Sequence, residues 1–295
     1  MFRRVFLILL IVSSFISCHT AVSLKQLPSQ YLFCDSIRLH YKTYGQSEQT
    51  LVFIHGFGCD MECWREQFPF FATRDVAMVF IDLPGYGGSD KPQTEYSPDF
   101  FAKAVKTILD SLHATRPVLV GHSLGSPICR QVVRNYPELN ARLCKVDEVA
   151  LRFPRDSVEK LAYQQEVDVL PAGFTGEHKT ENMEIFIHSL FIPESPQKVK
   201  EYAFATMSPT PEYIAYSTMQ NLVKERYWDE TPVDVPTLIV CARMFLVWPD
   251  NEAYMRLQYP DLEYHEWNGT GHFIMMEQPE RFNQVLYNFI DKKGN

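Results

Sequence analysis

The chain of 295 residues is long enough for one large core with an insertion or for two modest domains. Its 46% hydrophobic and 22% charged residues are typical of a globular protein. Its formal net charge is -8, and no basic cluster occurs beyond the first four residues, so the composition argues against nucleic acid as a partner.

The N-terminus has the pattern of an export signal. Two arginines precede an apolar run over residues 5–16, which is short for a spanning helix because such a helix needs about 20 apolar residues. The four residues that end at Cys18 resemble a bacterial lipoprotein cleavage box, with phenylalanine where leucine is usual. Residues 1–18 therefore predict a signal peptide and an exported protein, either periplasmic after cleavage near Ser17 or anchored to a membrane through lipid on Cys18.

The first half of the chain predicts strands that alternate with helices. Alternating apolar residues predict a β-hairpin over 31–44, and short apolar runs predict buried strands over 51–54, 76–81 and 118–120. A poorer strand follows over 143–146, where a lysine interrupts the apolar run. Apolar residues at helical spacing lie between several of these strands.

In the second half of the chain, the alternation of strands and helices is interrupted. From about residue 153 to 229, helical segments follow one another without strong strands, and strands resume over 237–241 and 262–267. Strand–helix alternation predicts an α/β protein with a mostly parallel, eight-stranded sheet between helices. We expect this core over residues 30–152 and 230–292, with residues 153–229 as a helical cap over the strand ends, where open α/β sheets bind ligands.

The strand over 118–120 leads directly into a motif for nucleophilic catalysis, Gly121-His122-Ser123-Leu124-Gly125, which fits G-x-S-x-G. A serine in a sharp turn between strand and helix is exposed above the sheet, and the glycines let the chain pass closely. The following helix directs free N–H groups and its positive dipole end at the place where an oxyanion would form. Ser123 is therefore the candidate nucleophile.

Four motifs in this order resemble those of the α/β-hydrolase superfamily, in its capped form. They are His55-Gly56-Phe57-Gly58, the turn-rich loop over 82–90, the serine motif, and Gly271-His272-Phe273. The resemblance covers about residues 30–292 and implies the eight-stranded sheet of that superfamily.

The resemblance also implies roles for individual residues. Ser123 would be the nucleophile and His272 the general base that takes its proton, because serine alone is a weak nucleophile. The backbone N–H groups of Phe57 and Leu124 would form the oxyanion hole. No metal and no cofactor is implied.

The acid of the catalytic triad departs from the superfamily pattern. Its usual place, in the loop after the seventh strand, is occupied by Phe245, which cannot stabilise an imidazolium. Three possibilities for the acid stay open. Asp147 after the sixth strand supplies the acid, as in some haloalkane dehalogenases, and is our first choice. Asp250 supplies it, although aspartate there is better placed to cap the following helix. The third reading is a site without an acid.

These features predict a serine hydrolase that cleaves a carboxylic ester with a small apolar acyl group. Capped dehalogenases and epoxide hydrolases use an aspartate nucleophile, so Ser123 argues against both activities. The alternatives are a carbon–carbon, lactone or amide hydrolase with the same residues, or a non-catalytic binding protein. Aromatic residues of the cap would pack its helices or line an apolar pocket: Phe174, Phe186, Phe191, Tyr202, Phe204, Tyr213, Tyr216, Tyr227 and Trp228.

Overall fold

The computed structural model describes residues 22–148, 151–245 and 248–292. The predicted signal segment, residues 1–18 with Cys18, lies outside these ranges, so export and lipidation stay predictions. Within the described ranges, none of the helices combines the length and the apolar character that a bilayer crossing requires.

Eight strands form one sheet in the order β1-β2-β4-β3-β5-β6-β7-β8. β2 is antiparallel to both β1 and β4, and all other neighbouring strands are parallel. This arrangement confirms the expected mostly parallel sheet. The strands are β1 (Gln30–Cys34), β2 (Ile37–Tyr44), β3 (Thr50–Ile54), β4 (Ala77–Asp82), β5 (Val118–His122), β6 (Arg142–Val146), β7 (Thr237–Ala242) and β8 (Leu262–Trp267).

Helices flank the sheet, and four of them, α4 to α7, follow one another between β6 and β7, in the segment predicted as a cap. The α-helices of the described residues are α1 (Phe68–Phe71), α2 (Pro98–Ser111), α3 (Gly125–Asn135), α4 (Ser157–Asp168), α5 (Lys179–Ser189), α6 (Gln197–Met207), α7 (Glu212–Leu222), α8 (Asn251–Gln258), α9 (Ile274–Glu277) and α10 (Pro279–Asp291).

The central strands are apolar because they are covered on both faces. Every residue of β3, β5 and β7 is buried, whereas β1 at the sheet edge alternates between covered and exposed side chains. Strands that are buried on both faces require continuous apolar runs, and edge strands do not. The short β-branched runs were therefore a reliable strand signal here.

Lys145 does not break β6, contrary to its reading as an interruption. Its side chain is only 1% exposed, and its ammonium group contacts the Tyr259 hydroxyl and the Glu148 carboxylate. A buried lysine is tolerated when a carboxylate and hydrogen-bond partners compensate its charge. The sequence pattern could not show this compensation, since Tyr259 is remote in the chain.

The parallel part of the sheet brings the predicted site residues to one edge. Strands β3 to β8 run in the same direction, so the loops that follow them open at the same edge of the sheet. These loops carry Phe57, Ser123, Asp147 and His272.

Candidate active site

Ser123 lies in a tight turn between β5 and α3. Its backbone has φ of 50°, a left-handed conformation that is costly for a residue with a side chain and that clusters at functional sites. Its N–H donates a 2.9 Å hydrogen bond to the Val146 carbonyl at the end of β6. A Cβ atom at Gly121 would overlap the Gly125 backbone, so glycine is required where the two arms of the turn cross. The turn has the elbow shape expected from the motif.

His272 and Asp147 form a buried pair beside this turn. The distance between His272 Nδ1 and Asp147 Oδ2 is 2.7 Å. The second carboxylate oxygen accepts a 2.6 Å bond from the Ala242 N–H at the end of β7. Burial raises the pKa of Asp147 above its ordinary value, and the bonds from His272 and Ala242 oppose that rise. The pair can hold one imidazole tautomer and stabilise an imidazolium.

His122 connects the turn at Ser123 to His272. Its ring centroid lies 4.7 Å from that of His272, and its Nε2–H donates a 2.9 Å bond to the His272 carbonyl. Burial, together with the neighbouring His272, holds the pKa of His122 well below its usual range, so His122 acts as a neutral donor. Since Ser123 is its chain neighbour, His122 places the nucleophile and base candidates at one site.

The hydroxyl of Ser123 forms no hydrogen bond among the described residues. Hydrogen bonds between a nucleophile and its base are often long without substrate and tighten in the Michaelis complex. Ser123 is half-buried, and Gly56 packs beside it, because a Cβ at Gly56 would lie 3.1 Å from Ser123 Cβ. The loop after β3 therefore borders the nucleophile candidate.

The two oxyanion-hole candidates belong to the two segments that border Ser123, the start of α3 and the loop after β3. Leu124 is the N-cap residue of α3, and Phe57 lies in the loop after β3. Neither backbone N–H donates a hydrogen bond within the described part of the chain, so both are available to a developing negative charge.

His55 holds the loop after β3, which carries Phe57, in place. Its Nδ1–H donates a 2.8 Å bond to the Gly56 carbonyl, and its Nε2 accepts a 3.0 Å bond from the Leu83 N–H. Burial lowers the pKa of His55 although the nearby Asp82 opposes the change, so the ring is neutral and both nitrogens are used. His55 thus supports the loop.

A second buried aspartate–histidine pair fastens the loop after β4. His40 Nδ1 lies 2.7 Å from Asp82 Oδ2. The Asp82 carboxylate also accepts 2.8 Å bonds from the N–H groups of Met61 and Gly88. Burial alone would raise the pKa of Asp82, but these bonds outweigh it and lower the pKa. The Asp82 carboxylate is therefore engaged in hydrogen bonds that hold the surrounding loops together.

Two aromatic residues of the segment predicted as a cap contact Phe57 in the loop after β3. The Phe57 ring contacts Phe174 and Phe186, with centroids 5.6 and 5.9 Å away, and Tyr86 at 6.3 Å. These contacts form an apolar wall next to the candidate oxyanion hole. Of the remaining cap aromatics, Tyr216 is among the exposed large side chains.

Asp250 lies at the start of α8 but does not use its side chain as predicted. It occupies the N-cap position without a side-chain capping bond, and its carboxylate instead accepts a 2.8 Å bond from Arg152. The expected capping bond is therefore wrong, because the guanidinium competes for the same oxygens. Phe245 ends a short 3₁₀ helix that follows β7.

Sequence reasoning missed a group of residues that contact the loop of His272. Glu277 in α9 accepts a hydrogen bond from the Gly271 N–H, and the cap residue Leu190 accepts one from the His272 N–H. An acidic residue a short distance after the Gly-His-Phe motif was a visible signal. Ser195, the hydrogen-bond partner of Glu277, lies 82 residues away in the chain, and no sequence signal linked the two residues.

Known proteins share this sequence pattern and fold. The family model of the alpha/beta hydrolase family matches residues 51–285. A 2-hydroxy-6-oxononadienedioate/2-hydroxy-6-oxononatrienedioate hydrolase from Paraburkholderia phymatum is 25% identical over 269 residues, which are 86% of this chain and 91% of that protein.

Solved structures agree with the architecture. An esterase from Exiguobacterium antarcticum matches with a TM-score of 0.77 at 20% identity, over 90% of this chain and 100% of that one. An N-acyl homoserine lactone degrading enzyme matches with a TM-score of 0.70 at 23% identity, over 88% and 100% of the two chains. At these identities the structural matches establish the fold.

Proposed function

Because the chain belongs to the alpha/beta hydrolase family, we propose that it is a serine hydrolase that cleaves carboxylic esters through an acyl-enzyme on Ser123. The observation that carries the proposal is the 2.7 Å hydrogen bond between Asp147 and His272, next to a serine in a strained turn. Nucleophile, base and acid are the three parts that activation of a serine requires.

The reaction follows from these positions. The Ser123 oxygen attacks the ester carbonyl carbon while His272 takes the hydroxyl proton, and Asp147 stabilises the resulting imidazolium. The carbonyl oxygen becomes negative and accepts hydrogen bonds from the N–H groups of Phe57 and Leu124. The intermediate collapses, and the alcohol leaves with the proton from His272. Water, deprotonated by His272, then hydrolyses the acyl-enzyme and releases the acid.

The aromatic side chains around Phe57 support the proposal that the acyl group of the substrate is apolar. Phe174 and Phe186 from the cap and Tyr86 from the core place aromatic carbon beside the proposed oxyanion hole. Binding of an apolar group there removes its surface from water, which favours an apolar substituent on the acyl side.

A second candidate is hydrolysis of a carbon–carbon bond. It is favoured by the 25% identity to the Paraburkholderia phymatum hydrolase, whose name describes 2-hydroxy-6-oxo dienedioate and trienedioate compounds. The same three residues would serve either bond. Parallel turnover assays on short-chain p-nitrophenyl esters, lactones, amides and a 2-hydroxy-6-oxo-dienoate separate these activities.

Labelling with a fluorophosphonate probe tests the serine mechanism. The probe forms a covalent bond with an activated serine, so we expect the wild-type protein to be labelled and Ser123→Ala to remain unlabelled. Ser208→Ala, which removes an exposed hydroxyl of the cap, is the matched control and should label like the wild type. A folded wild-type sample that stays unlabelled would favour the non-catalytic binding protein.

A further inference from the structure

The cap is joined to the loop that carries His272. We call residues 190–196, between α5 and α6, the cap linker, and residues 269–273 the base loop. The His272 N–H donates a 2.9 Å bond to the Leu190 carbonyl of the cap linker. The Phe191 ring stacks on the ring of Phe273, with centroids 5.6 Å apart and planes at 12°.

Glu277 links these two segments through one oxygen. Its Oε2 accepts a 2.9 Å bond from the Gly271 N–H of the base loop and another 2.9 Å bond from the Ser195 hydroxyl of the cap linker. Ser195 is itself buried and accepts a 3.1 Å bond from the Ile192 N–H, so its hydroxyl is fixed. A single acceptor therefore ties the cap to the residue before His272.

The packing at this junction leaves no spare room. A Cβ atom at Gly271 would lie 2.7 Å from Glu277 Oε1 and 2.9 Å from both the Leu190 carbonyl oxygen and Ser195 Oγ. A side chain would not fit at Gly271, so the base loop, the cap linker and Glu277 are closely packed at this junction.

We propose that Glu277 is a positioning residue through which the seated cap sets the orientation of His272. The proposal rests on the proposed function, in which His272 is the general base. When the cap lifts, Glu277 loses its bond from Ser195, and the base loop loses the bond from the His272 N–H to Leu190 and its stacking on Phe191. The orientation of the imidazole is then no longer fixed. Catalysis is thereby confined to the closed state, in which bulk water is also excluded.

Substitutions of Glu277 test this role with p-nitrophenyl butyrate as substrate. Glu277→Ala removes both bonds, and we expect kcat to fall about 100-fold, since a small misplacement of a catalytic group can cost this much. KM should change little, because Glu277 touches no substrate. Glu277→Gln should restore kcat to near the wild-type value, because an amide oxygen in place of Oε2 can accept both bonds.

Ser195→Ala removes the hydrogen bond between the cap linker and Glu277. We expect kcat to fall about tenfold, the usual scale for a lost bond to a charged group. The double variant Ser195→Ala/Glu277→Ala should be no slower than Glu277→Ala, because the two residues share one contact. The exposed Glu280 of α10 is the matched control, and Glu280→Ala should leave kcat unchanged.

Three results would overturn the inference: unchanged kcat in both Glu277→Ala and Ser195→Ala, additive losses in the double variant, or a Glu277→Gln as slow as Glu277→Ala. Thermal melting of each variant identifies losses that come from unfolding, and Ser195→Ala keeps the test decisive if Glu277→Ala does not fold. Fluorophosphonate labelling of the wild type separates the two proposals. A labelled wild type with unaffected variants contradicts only the role of Glu277, whereas an unlabelled wild type contradicts the serine mechanism itself.

Discussion

Asp147 reaches His272 from β6, although the usual acid of this family comes from the loop after β7. The two strands are neighbours in the sheet, and Val146 at the end of β6 pairs with Val240 of β7. Neighbouring strands are about 4.8 Å apart, a distance that a change of side-chain direction can span. The backbone of Asp147, with φ of 50°, turns its carboxylate toward β7, where the Ala242 N–H binds it.

Substitution of the two candidate acids distinguishes their roles. Asp147→Asn keeps the shape of the side chain but favours the wrong imidazole tautomer, so we expect kcat to fall by about 10⁴-fold with folding intact. Asp250 is exposed and its carboxylate pairs with Arg152, not with His272, so Asp250→Asn should leave kcat unchanged. Ester turnover and melting temperature check both variants, and the opposite ranking would assign the acid to Asp250.

At the scale of elements, the serine turn depends on how closely α3 packs against β3. A Cβ at Gly125, the first residue of α3, would overlap the Ile54 carbonyl oxygen and lie 3.0 Å from that of His55. Both neighbours are backbone atoms at the end of a central strand and cannot rotate away. The position of Ser123 above the sheet is therefore set by helix–strand packing as well as by the turn.

Gly125→Ala should destabilise the protein. Forcing a methyl group into a packed interior typically costs about 1–3 kcal/mol, and backbone neighbours give the upper part of that range. Gly173→Ala is the control, because a Cβ there would meet only the Asn182 side chain at 4.0 Å. Urea denaturation measures both variants. Equal stability of the two would show that α3 can shift away from β3 at little cost.

At the scale of the whole molecule, the candidate site is assembled from the loops that follow β3, β5, β6 and β8 and from the helical segment between β6 and β7. Its histidines His55 and His122 are almost completely buried, and burial lowers the pKa of both. The folded protein therefore binds fewer protons than the unfolded chain once the pH falls below their ordinary value of 6.5. Their contribution to stability is complete above that pH and is lost progressively below it.

The free energy of unfolding should therefore decrease as the pH falls from about 7 to 5, by up to about 1.4 kcal/mol per pH unit for each histidine. His122→Gln removes one titrating group, and the slope should become shallower by about that amount. Urea denaturation across this pH range provides the measurement. An unchanged slope in His122→Gln would mean that folding does not lower the pKa of His122.

Prediction from sequence succeeded where a local pattern carries the physical requirement. Buried parallel strands need apolar runs, and a strained turn around a serine needs flanking glycines, so β5 and the turn at Ser123 could be located without a structure. His272 was predicted as the candidate base because it lies in a glycine-containing loop after the last strand, with a helix following. Each of these signals occupies a few consecutive residues.

The amino-acid order alone was sufficient for the α/β architecture, the inserted helices and the candidate nucleophile and base, because periodicity and turn chemistry are local properties of the chain. Only the folded structure selected Asp147 over Asp250 as the partner of His272, and only it brought Ser195 to Glu277. Those contacts join residues that are 125 and 82 positions apart. Contacts at such separations depend on which strands are neighbours and where the cap packs, and no short stretch of sequence contains that information.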